Sequence, residues 1–169
     1  MMTQQSTKVS VLFVCMGNIC RSPTGEGVFK KYVQEAGLPD SIFIDSAGTI
    51  GYHTGSPADA RMQSAAKNRG YSLESLARQV TVQDFDDFDL IVAMDVENLE
   101  NLYHLVGSKP EHVRMLGSFL DDSDDDVMGR SVPDPYYGGA AGFEEVLDMI
   151  ESACPAMLEH CRLLLDNKA

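Results

Sequence analysis

The chain has 169 residues, of which 44% are hydrophobic and 23% are charged, a composition typical of a folded globular protein. Its 13 basic residues are outnumbered by 26 acidic ones, which gives a formal net charge of −13. This balance argues against binding to nucleic acids or to anionic membranes, because both interactions depend on basic surfaces. We therefore expect one monomeric domain over residues 1–169, with residues 1–7 flexible.

The sequence lacks the features of a secreted or membrane-spanning protein. No apolar run reaches the ~18 residues that a membrane helix needs, and the run over residues 9–15 is too short for a signal sequence. We therefore expect a cytoplasmic protein, in which cysteines stay reduced. Four cysteines are present, but neither their context nor their spacing predicts a disulfide framework or a zinc site. They are Cys15, Cys20, Cys154 and Cys161.

The first quarter of the chain predicts a strand, a helix and a second strand. Residues 9–14 are apolar and rich in valine, which indicates a buried strand. Ser22 and Pro23 predict the start of a helix, with Ser22 as its N-cap, and Gly37 predicts its end. Residues 41–45 predict the second strand.

The middle of the chain continues the same alternation. Residues 56–59, Ser-Pro-Ala-Asp, resemble a capping box and predict a helix that ends at Gly70. Residues 89–94 predict a third strand, and Asp95 is expected to cap the helix that follows it.

The last third predicts a short strand and a long helix. Residues 112–116 predict a weaker fourth strand, and residues 142–167 predict an amphipathic helix that Pro155 should kink near residues 152–154. Four alternations of strand and helix predict the α/β class, as a single-domain three-layer sandwich with a four-stranded parallel sheet and helices on both faces. Ligands of such sheets bind at the carboxyl ends of the strands, where the strand order changes direction.

The segment between the first strand and the first helix carries the strongest chemical signal. It reads Cys15-Met-Gly-Asn-Ile-Cys-Arg21-Ser22, and a loop in that position aims backbone N–H groups and a helix N-terminus at one point. Gly17 and Asn18 can both adopt the left-handed conformation that a tight cradle needs. Arg21 offers a planar fork for two phosphate oxygens, and the positive surroundings favour the thiolate of Cys15, a strong nucleophile. On this motif alone, Cys15 could equally be a small buried residue that ends a strand.

A second segment, Asp134-Pro-Tyr-Tyr-Gly-Gly, supplies a possible general acid. Asp134 stands between two prolines, which make the backbone extended and stiff. Phosphate transfer to a thiolate needs an acid to protonate the leaving oxygen, and Tyr136 and Tyr137 could receive a phenyl ring. A proline and glycine turn with a solvated aspartate is the alternative reading of this segment.

Together, these segments resemble the low-molecular-weight protein tyrosine phosphatase family. The resemblance covers nearly the whole chain: VLFVCMGNICRSP matches the nucleophile loop, IDSAGT the second strand and its turn, ARQVTVQDFDDFDLIVAMDVEN the middle, and DPYYGG the acid loop. It implies hydrolysis of phosphotyrosine and aryl phosphates through a cysteinyl-phosphate intermediate. It implies no metal or other cofactor, and it implies that phosphate and other oxyanions inhibit.

The resemblance also assigns roles to particular residues. It implies that Cys15 is the nucleophile, Arg21 the phosphate clamp and Asp134 the general acid. The structural residues that it implies are Asn18, Ser22 and Ser46, which shape the loop by hydrogen bonds, and the carboxylate of Asp95. The expected substrate-binding residues are Met16, Gly17, Asn18, Ile19, Cys20, Ser22, Tyr52, His53, Tyr136 and Tyr137.

Two positions depart from the family pattern. Family members often carry Trp after the SAGT turn, where this chain has Tyr52 followed by His53, and this change bears on substrate preference. Several members carry His where this chain has Ser75, which bears on the support of the Asn18 network. Neither change removes a reacting group.

Two other functions stay open at this point. The same scaffold supports arsenate reductase, which needs further cysteines as a relay. Cys154 and Cys161 have a suggestive spacing, but they lie on the last predicted helix, whereas reductases place theirs after the third strand. A non-catalytic phosphotyrosine-binding module is the second alternative, and the joint presence of nucleophile, clamp and acid argues against it.

The second cysteine of the loop predicts redox control. Cys20 lies five residues from Cys15 in a loop that must curl around an anion, so the two sulfurs can approach bonding distance after local adjustment. The resemblance supports this role, because family members with a second loop cysteine behave in this way; the alternative is that Cys20 only packs under the loop. We therefore expect Cys20 to capture an oxidised Cys15 as a disulfide.

Overall fold

The apolar run near the start of the chain forms one of the two central strands of the sheet. In the computed structural model, which describes residues 8–123 and 125–169, β1 (Val9–Cys15) pairs with β2 (Ile42–Gly48) and with β3 (Leu90–Ala93). Strand β4 (Val113–Met115) extends the sheet beyond β3, and all three pairings are parallel. The order β2-β1-β3-β4 confirms the predicted four-stranded parallel sheet. The expectation that residues 1–7 are flexible lies outside the described residues.

Side chains of β1 alternate between two apolar layers, which is why the sheet is covered on both faces. Val11 and Phe13 point into one cluster, and Leu12 and Val14 point into the other. The helices of the first layer are α1 (Arg21–Glu35), α2 (Ala60–Asn68) and α5 (Ala140–Lys168). Those of the second are α3 (Asp84–Asp87) and α4 (Val96–Val106). This arrangement confirms the predicted three-layer sandwich.

The predicted N-cap of α1 is wrong. The helix begins at Arg21 with Cys20 in the cap position, and no side chain accepts a hydrogen bond there. Ser22 lies inside the first turn, where its hydroxyl is hydrogen-bonded to the side chains of Cys15 and Asn18. The serine is therefore used to build the preceding loop rather than to cap the helix.

The start of α2 is also shifted from its prediction. Asp59, and not Ser56, is the N-cap, because its carboxylate accepts hydrogen bonds from the amides of Arg61 and Met62. The helix ends at Asn68, and Gly70 follows with φ +85°. Asp95 does cap α4 as predicted, by accepting from the amide of Asn98.

Two short elements were missed, and the last helix is longer than expected. The single-turn helix α3 and a 3₁₀ helix over Leu116–Phe119 are too short to give a hydrophobic period. Helix α5 contains Pro155 without ending there. No helix of the described residues is both long and apolar enough to cross a membrane.

The order of the strands places a crevice at one end of the sheet. The chain leaves β1 for β2 on one side and returns to β3 on the other, so strand order changes direction between β1 and β3. The carboxyl end of β1 leads through residues 16–20 into α1, and that of β3 leads through residues 94–95 into α4. This is the position predicted for a ligand site.

Gly27 gives a test of the packing of α1. A β-carbon there would lie 2.8 Å from the carbonyl oxygen of Ser72, and backbone cannot move aside cheaply. We expect Gly27→Ala to lower the free energy of unfolding by about 1–3 kcal/mol, despite the better helix propensity of alanine.

Gly142 in α5 is the matched control for this substitution. A β-carbon there meets its nearest neighbour, Pro135, at an ordinary 3.5 Å. Gly142→Ala should therefore leave stability unchanged or raise it by up to about 1 kcal/mol. Urea unfolding of both variants measures the difference, and equal effects would contradict the close approach of α1 to residue 72.

Candidate active site

The loop between β1 and α1 is held by its carbonyl groups. The oxygen atoms of Cys15, Met16 and Ile19 accept hydrogen bonds from the amides of residues 49, 50 and 59, at 2.9, 3.1 and 2.8 Å. Within the described part of the chain, the amide N–H groups of residues 17–21 donate no hydrogen bond to another protein group. These N–H groups, together with the N-terminus of α1, form an anion cradle of uncharged backbone.

The tight turn of this loop occurs at Asn18 and not at Gly17. Asn18 has φ 58°, whereas Gly17 is not among the residues with positive φ. Gly17 is needed for space instead, because a β-carbon there would lie 3.0 Å from Cδ2 of His53. The loop therefore uses one asparagine for curvature and one glycine for the approach of a neighbouring ring.

A buried hydrogen-bond network supports the Cys15 thiol. The Sγ atom of Cys15 lies 3.0 Å from Oγ of Ser22. Nδ2 of Asn18 donates to the hydroxyls of Ser22 and Ser46 at 2.8 and 3.0 Å. All four side chains are buried, so the loop is supported from within the protein.

Two members of this network were not expected from the sequence. Glu26 is buried and accepts from Oγ of Ser46 at 2.7 Å and from Lys30 at 2.7 Å. The main-chain amide of Arg78 donates to Oδ1 of Asn18 at 3.0 Å, so a backbone group supports the asparagine. The four-residue spacing of Glu26 and Lys30 is typical of an ion pair on a helix, so the sequence did contain a signal for Glu26. A main-chain donor has no sequence signal, because every residue except proline has the same amide.

Arg21 joins the loop to two other segments. Its guanidinium is buried, and Nη1 donates to Oδ2 of Asp95 at 2.5 Å and to the carbonyl of Val132 at 3.0 Å. The Nη2 atom lies 3.7 Å from Oδ2 of Asp134. Burial acts to lower the pKa of Arg21, but the charges of Cys15, Asp95 and Asp134 outweigh it and raise the pKa.

The cradle opens into a cleft of about 390 Å³ that gathers most of the predicted site residues. The lining residues that were predicted are Cys15, Met16, Gly17, Ile19, Cys20, Arg21, Tyr52, His53, Asp134, Tyr136 and Tyr137. Ile50 also lines the cleft and was missed, because an isolated isoleucine in a loop carries no chemical signal. Asn18 and Ser22 were predicted to bind substrate, but they do not line the cleft, since their side chains form the network beneath it.

Aromatic rings from two segments stand at the cleft. Tyr52 and His53 meet edge to face with ring centroids 4.8 Å apart, and Tyr136 and Tyr137 meet in the same way at 4.9 Å. Tyr52 and Tyr137 are 84% and 93% exposed, so their rings are free to contact a ligand. The cleft is therefore polar at its base and aromatic at its mouth.

The other three cysteines lie in surroundings that keep their thiols protonated. Burial, with the nearby charge of Asp59, raises the pKa of Cys20 to about 12, so this thiol stays protonated at neutral pH. Cys154 and Cys161 are fully buried in α5 and do not line the cleft. Burial also raises the pKa of both.

This fold and this site define an α/β protein that presents a cysteine at the base of an oxyanion-binding loop. The sequence profile described as Low molecular weight phosphotyrosine protein phosphatase matches residues 10–166. A putative low molecular weight protein-tyrosine-phosphatase from Synechocystis is 45% identical over 152 residues, which cover 89% of this chain and 94% of the relative. The chain therefore belongs to the low molecular weight phosphotyrosine protein phosphatase family, and Cys15 is the catalytic cysteine of its N-terminal loop.

Solved structures agree with this assignment. The crystal structure of YfkJ from Bacillus subtilis matches with a TM-score of 0.84 and 41% identity, covering 94% of this chain and 97% of that one. A protein tyrosine phosphatase from Entamoeba histolytica, crystallised with Hepes in the active site, matches with a TM-score of 0.83 and 40% identity. That match covers 96% of this chain and all of the other. The family resemblance read from the sequence is confirmed.

The buried position of Arg21 generates a stability prediction. A lysine ammonium cannot meet Asp95 and the Val132 carbonyl with the planar geometry of the guanidinium. We expect Arg21→Lys to lower the free energy of unfolding by about 1–3 kcal/mol, because buried hydrogen-bonding groups lose partners. Urea unfolding checks this value.

Arg130→Lys is the matched control, since Arg130 pairs with Asp122 at the surface, where both side chains are more than half exposed. We expect that change to cost about 0.5 kcal/mol or less. Equal losses in the two variants would show that the buried contacts of Arg21 do not stabilise the fold.

Proposed function

We propose that this protein hydrolyses phosphotyrosine in proteins or peptides, with Cys15 as nucleophile, Arg21 as phosphate clamp and Asp134 as general acid and base. The observation that carries the proposal is the convergence of these three side chains on one cleft. The carboxylate of Asp134 lies 3.7 Å from Nη2 of Arg21. A phosphoryl group held by the loop amides and by Arg21 would therefore lie beside the acid.

The first step transfers the phosphoryl group to sulfur. The thiolate of Cys15 attacks phosphorus in line, so an S–P bond forms as the P–O bond to the tyrosine oxygen breaks. The protonated carboxyl of Asp134 gives its proton to that oxygen, which leaves as a neutral phenol. The negative charge of the transferring group is met by the loop N–H groups, the helix N-terminus and Arg21.

The second step returns the enzyme to its starting state. Asp134, now a carboxylate, takes a proton from water, whose oxygen attacks phosphorus and breaks the S–P bond. Inorganic phosphate leaves, and Cys15 is again a thiolate. The hydroxyl of Ser22, 3.0 Å from Sγ, is placed to donate a hydrogen bond to the leaving thiolate.

The aromatic mouth of the cleft supports phosphotyrosine as the substrate. The phosphate site lies at the base of the cleft, so a phosphorylated side chain must cross the cleft to reach it. A phenol ring can do so while packing against Tyr52 and Tyr136, whereas the shorter serine side chain has no ring to pack there. His53 lines the same wall and would contact the ring or its backbone.

The two alternatives left open by the sequence receive less support. An arsenate reductase would need relay thiols that can reach Cys15, but Cys154 and Cys161 are buried in α5 away from the cleft. A binding module without activity would not need an aspartate beside the phosphate clamp. We therefore keep the phosphatase as the proposed function.

The decisive experiment compares two peptides that differ only in phosphotyrosine or phosphoserine. We expect the wild-type protein to release phosphate from the phosphotyrosine peptide, with competitive inhibition by inorganic phosphate, and to hydrolyse the phosphoserine peptide far more slowly. Cys15→Ser should bind the phosphotyrosine peptide without hydrolysing it. Binding without turnover by the wild type would favour the module, and equal rates on the two peptides would refute the specificity.

The role of Asp134 predicts a dependence on the leaving group. Asp134→Asn should lower kcat/KM for phenyl phosphate by ~10²–10⁴-fold, the usual contribution of a general acid. It should affect 4-nitrophenyl phosphate much less, because 4-nitrophenolate leaves readily without a proton. Steady-state kinetics with both substrates measure this contrast, and equal losses would remove Asp134 from the role of acid.

Redox capture of Cys15 by Cys20 stays a prediction. Cys20 lines the same cleft as Cys15. Its raised pKa keeps it from competing as the nucleophile, but it also means that the thiol must lose its proton as it attacks an oxidised Cys15, when the disulfide forms and water leaves. Recovery of activity by a thiol after peroxide should therefore depend on Cys20.

A further inference from the structure

Arg61 connects three parts of the molecule around the cleft without lining it. It lies in the first turn of α2 and is half exposed, and its Nε and Nη2 atoms donate to the two carboxylate oxygens of Asp59 at 3.1 and 3.0 Å. Asp59 is in turn joined to the nucleophile loop, because its amide donates to the carbonyl of Ile19 at 2.8 Å. Arg61 is therefore fixed relative to the phosphate cradle.

The other contacts of Arg61 are to Phe143 and to residues 133–138, the acid segment, which carries Asp134. Nη2 donates to the carbonyl oxygen of Tyr136 at 3.1 Å. The guanidinium carbon lies 5.4 Å from the ring centroid of Tyr136 and 4.9 Å from that of Phe143 in α5. Such cation–π contacts and a bidentate ion pair hold an arginine in one orientation even at a surface.

Tyr136 connects Arg61 to Asp134 through two hydrogen bonds. The amide of Tyr136 donates to Oδ1 of Asp134 at 3.1 Å, while its carbonyl accepts from Arg61. One residue thus has its N–H on the acid and its C=O on the arginine. The N–H and the C=O lie in two peptide planes that meet at the α-carbon of Tyr136. The bond from Arg61 to the carbonyl and the contact of its guanidinium with the ring together limit the directions in which the N–H can point.

Few other hydrogen bonds restrain this segment. Among residues 8–123 and 125–169, the bond from Arg61 is the one hydrogen bond that joins residues 133–138 to a different part of the chain. The remaining bonds of residues 133–138 are local, such as that from the amide of Gly138 to the carbonyl of Pro135 at 3.0 Å. The contact of Asp134 with Arg21, at 3.7 Å, is an ion pair and does not fix its direction.

We propose that Arg61 is a positioning residue, which holds the acid segment so that the carboxyl of Asp134 faces the leaving oxygen. This inference rests on the proposed function of Asp134 as proton donor to the leaving phenolate. Arg61 itself touches neither substrate nor reacting atoms. Without it, residues 133–138 sample other orientations, and proton transfer fails in those, because general acid catalysis requires hydrogen-bond contact with the leaving oxygen.

The test compares kcat/KM for a substrate that needs a proton on its leaving group with kcat/KM for one that does not. A purely structural role of Arg61 would not change the ratio of the two values. We expect Arg61→Ala to lower kcat/KM for phenyl phosphate by at least about tenfold, and for 4-nitrophenyl phosphate by less than about threefold. In an Asp134→Asn background, the same substitution should have no further effect on phenyl phosphate. The inhibition constant of inorganic phosphate should not change, because the cradle keeps its own bonds.

Arg69→Ala is the matched control. Arg69 follows the other end of α2 and joins it to α5 through Glu144, Asp148 and Glu151, but it does not contact residues 133–138. Its loss should change the kcat/KM values of the two substrates by the same factor. A similar equal loss in Arg61→Ala, or a loss that persists in the Asp134→Asn background, would overturn the inference.

The same measurements separate the inference from the function on which it rests. If the wild-type protein hydrolyses neither aryl phosphate, the proposed function falls and the role of Arg61 falls with it. If the wild type is active and Asp134→Asn shows the leaving-group contrast, but Arg61→Ala does not, then only the positioning role is wrong.

Discussion

The rest of the site depends on the hydrogen bonds that the buried guanidinium of Arg21 donates. Arg21 is the first residue of α1, so its backbone completes the anion cradle, while its side chain crosses to Asp95 at the start of α4 and to the carbonyl of Val132. The amide of Val132 is bound in turn to the carbonyl of Met94, at the end of β3. A single side chain therefore sets the distance between the nucleophile, the end of the neighbouring strand and the acid segment. Since both hydrogen bonds use Nη1, the Nη2 group remains for a ligand oxygen.

An anion site in a protein of net charge −13 must be local. The loop achieves this by turning its carbonyl groups into the protein, where neighbouring amides bind them, and its N–H groups toward the cleft. The dipoles of these N–H groups attract a bound phosphate at short range, although the net negative charge of the protein repels it at long range. Exposed charges are screened over about 8 Å at physiological salt, whereas the loop amides are in direct contact with the ligand. The acidic surface therefore slows the approach of anionic substrates more than it weakens the bound state.

The sequence predicts the fold and the family correctly, and for the same physical reason. Alternation of strands and helices is a local pattern, and the nucleophile loop is contiguous, so both are visible in short windows. The errors occur where tertiary contacts decide the role of a residue. Ser22 bonds to Cys15 and Asn18 in the preceding loop rather than capping α1. Asn18 is supported by the amide of Arg78, 60 residues away. The hydrogen bond from Arg61 to Tyr136 also involves a main-chain group, because its acceptor is the carbonyl oxygen of Tyr136. Main-chain groups are identical in every residue, so no sequence pattern could have indicated these two supports.

In the proposed mechanism Asp134 acts twice, and the segment that carries it, residues 133–138, combines a stiff backbone with few hydrogen bonds to the rest of the described chain. Pro133 and Pro135 limit the backbone on either side of Asp134, and Val132 fixes the point where the segment leaves the core. That mechanism requires the carboxyl of Asp134 to face first the phenolic oxygen and then, after the phenol departs, a water molecule on the same side of phosphorus. Both oxygens occupy the same in-line position opposite Sγ, so one orientation of Asp134 serves both steps. A segment that is stiff in itself, anchored by the buried Pro135 and bonded by Arg61 at Tyr136, can keep that orientation while the cleft exchanges phenol for water. A loop packed on all sides would keep the orientation equally well, but it would close the path by which the phenol leaves.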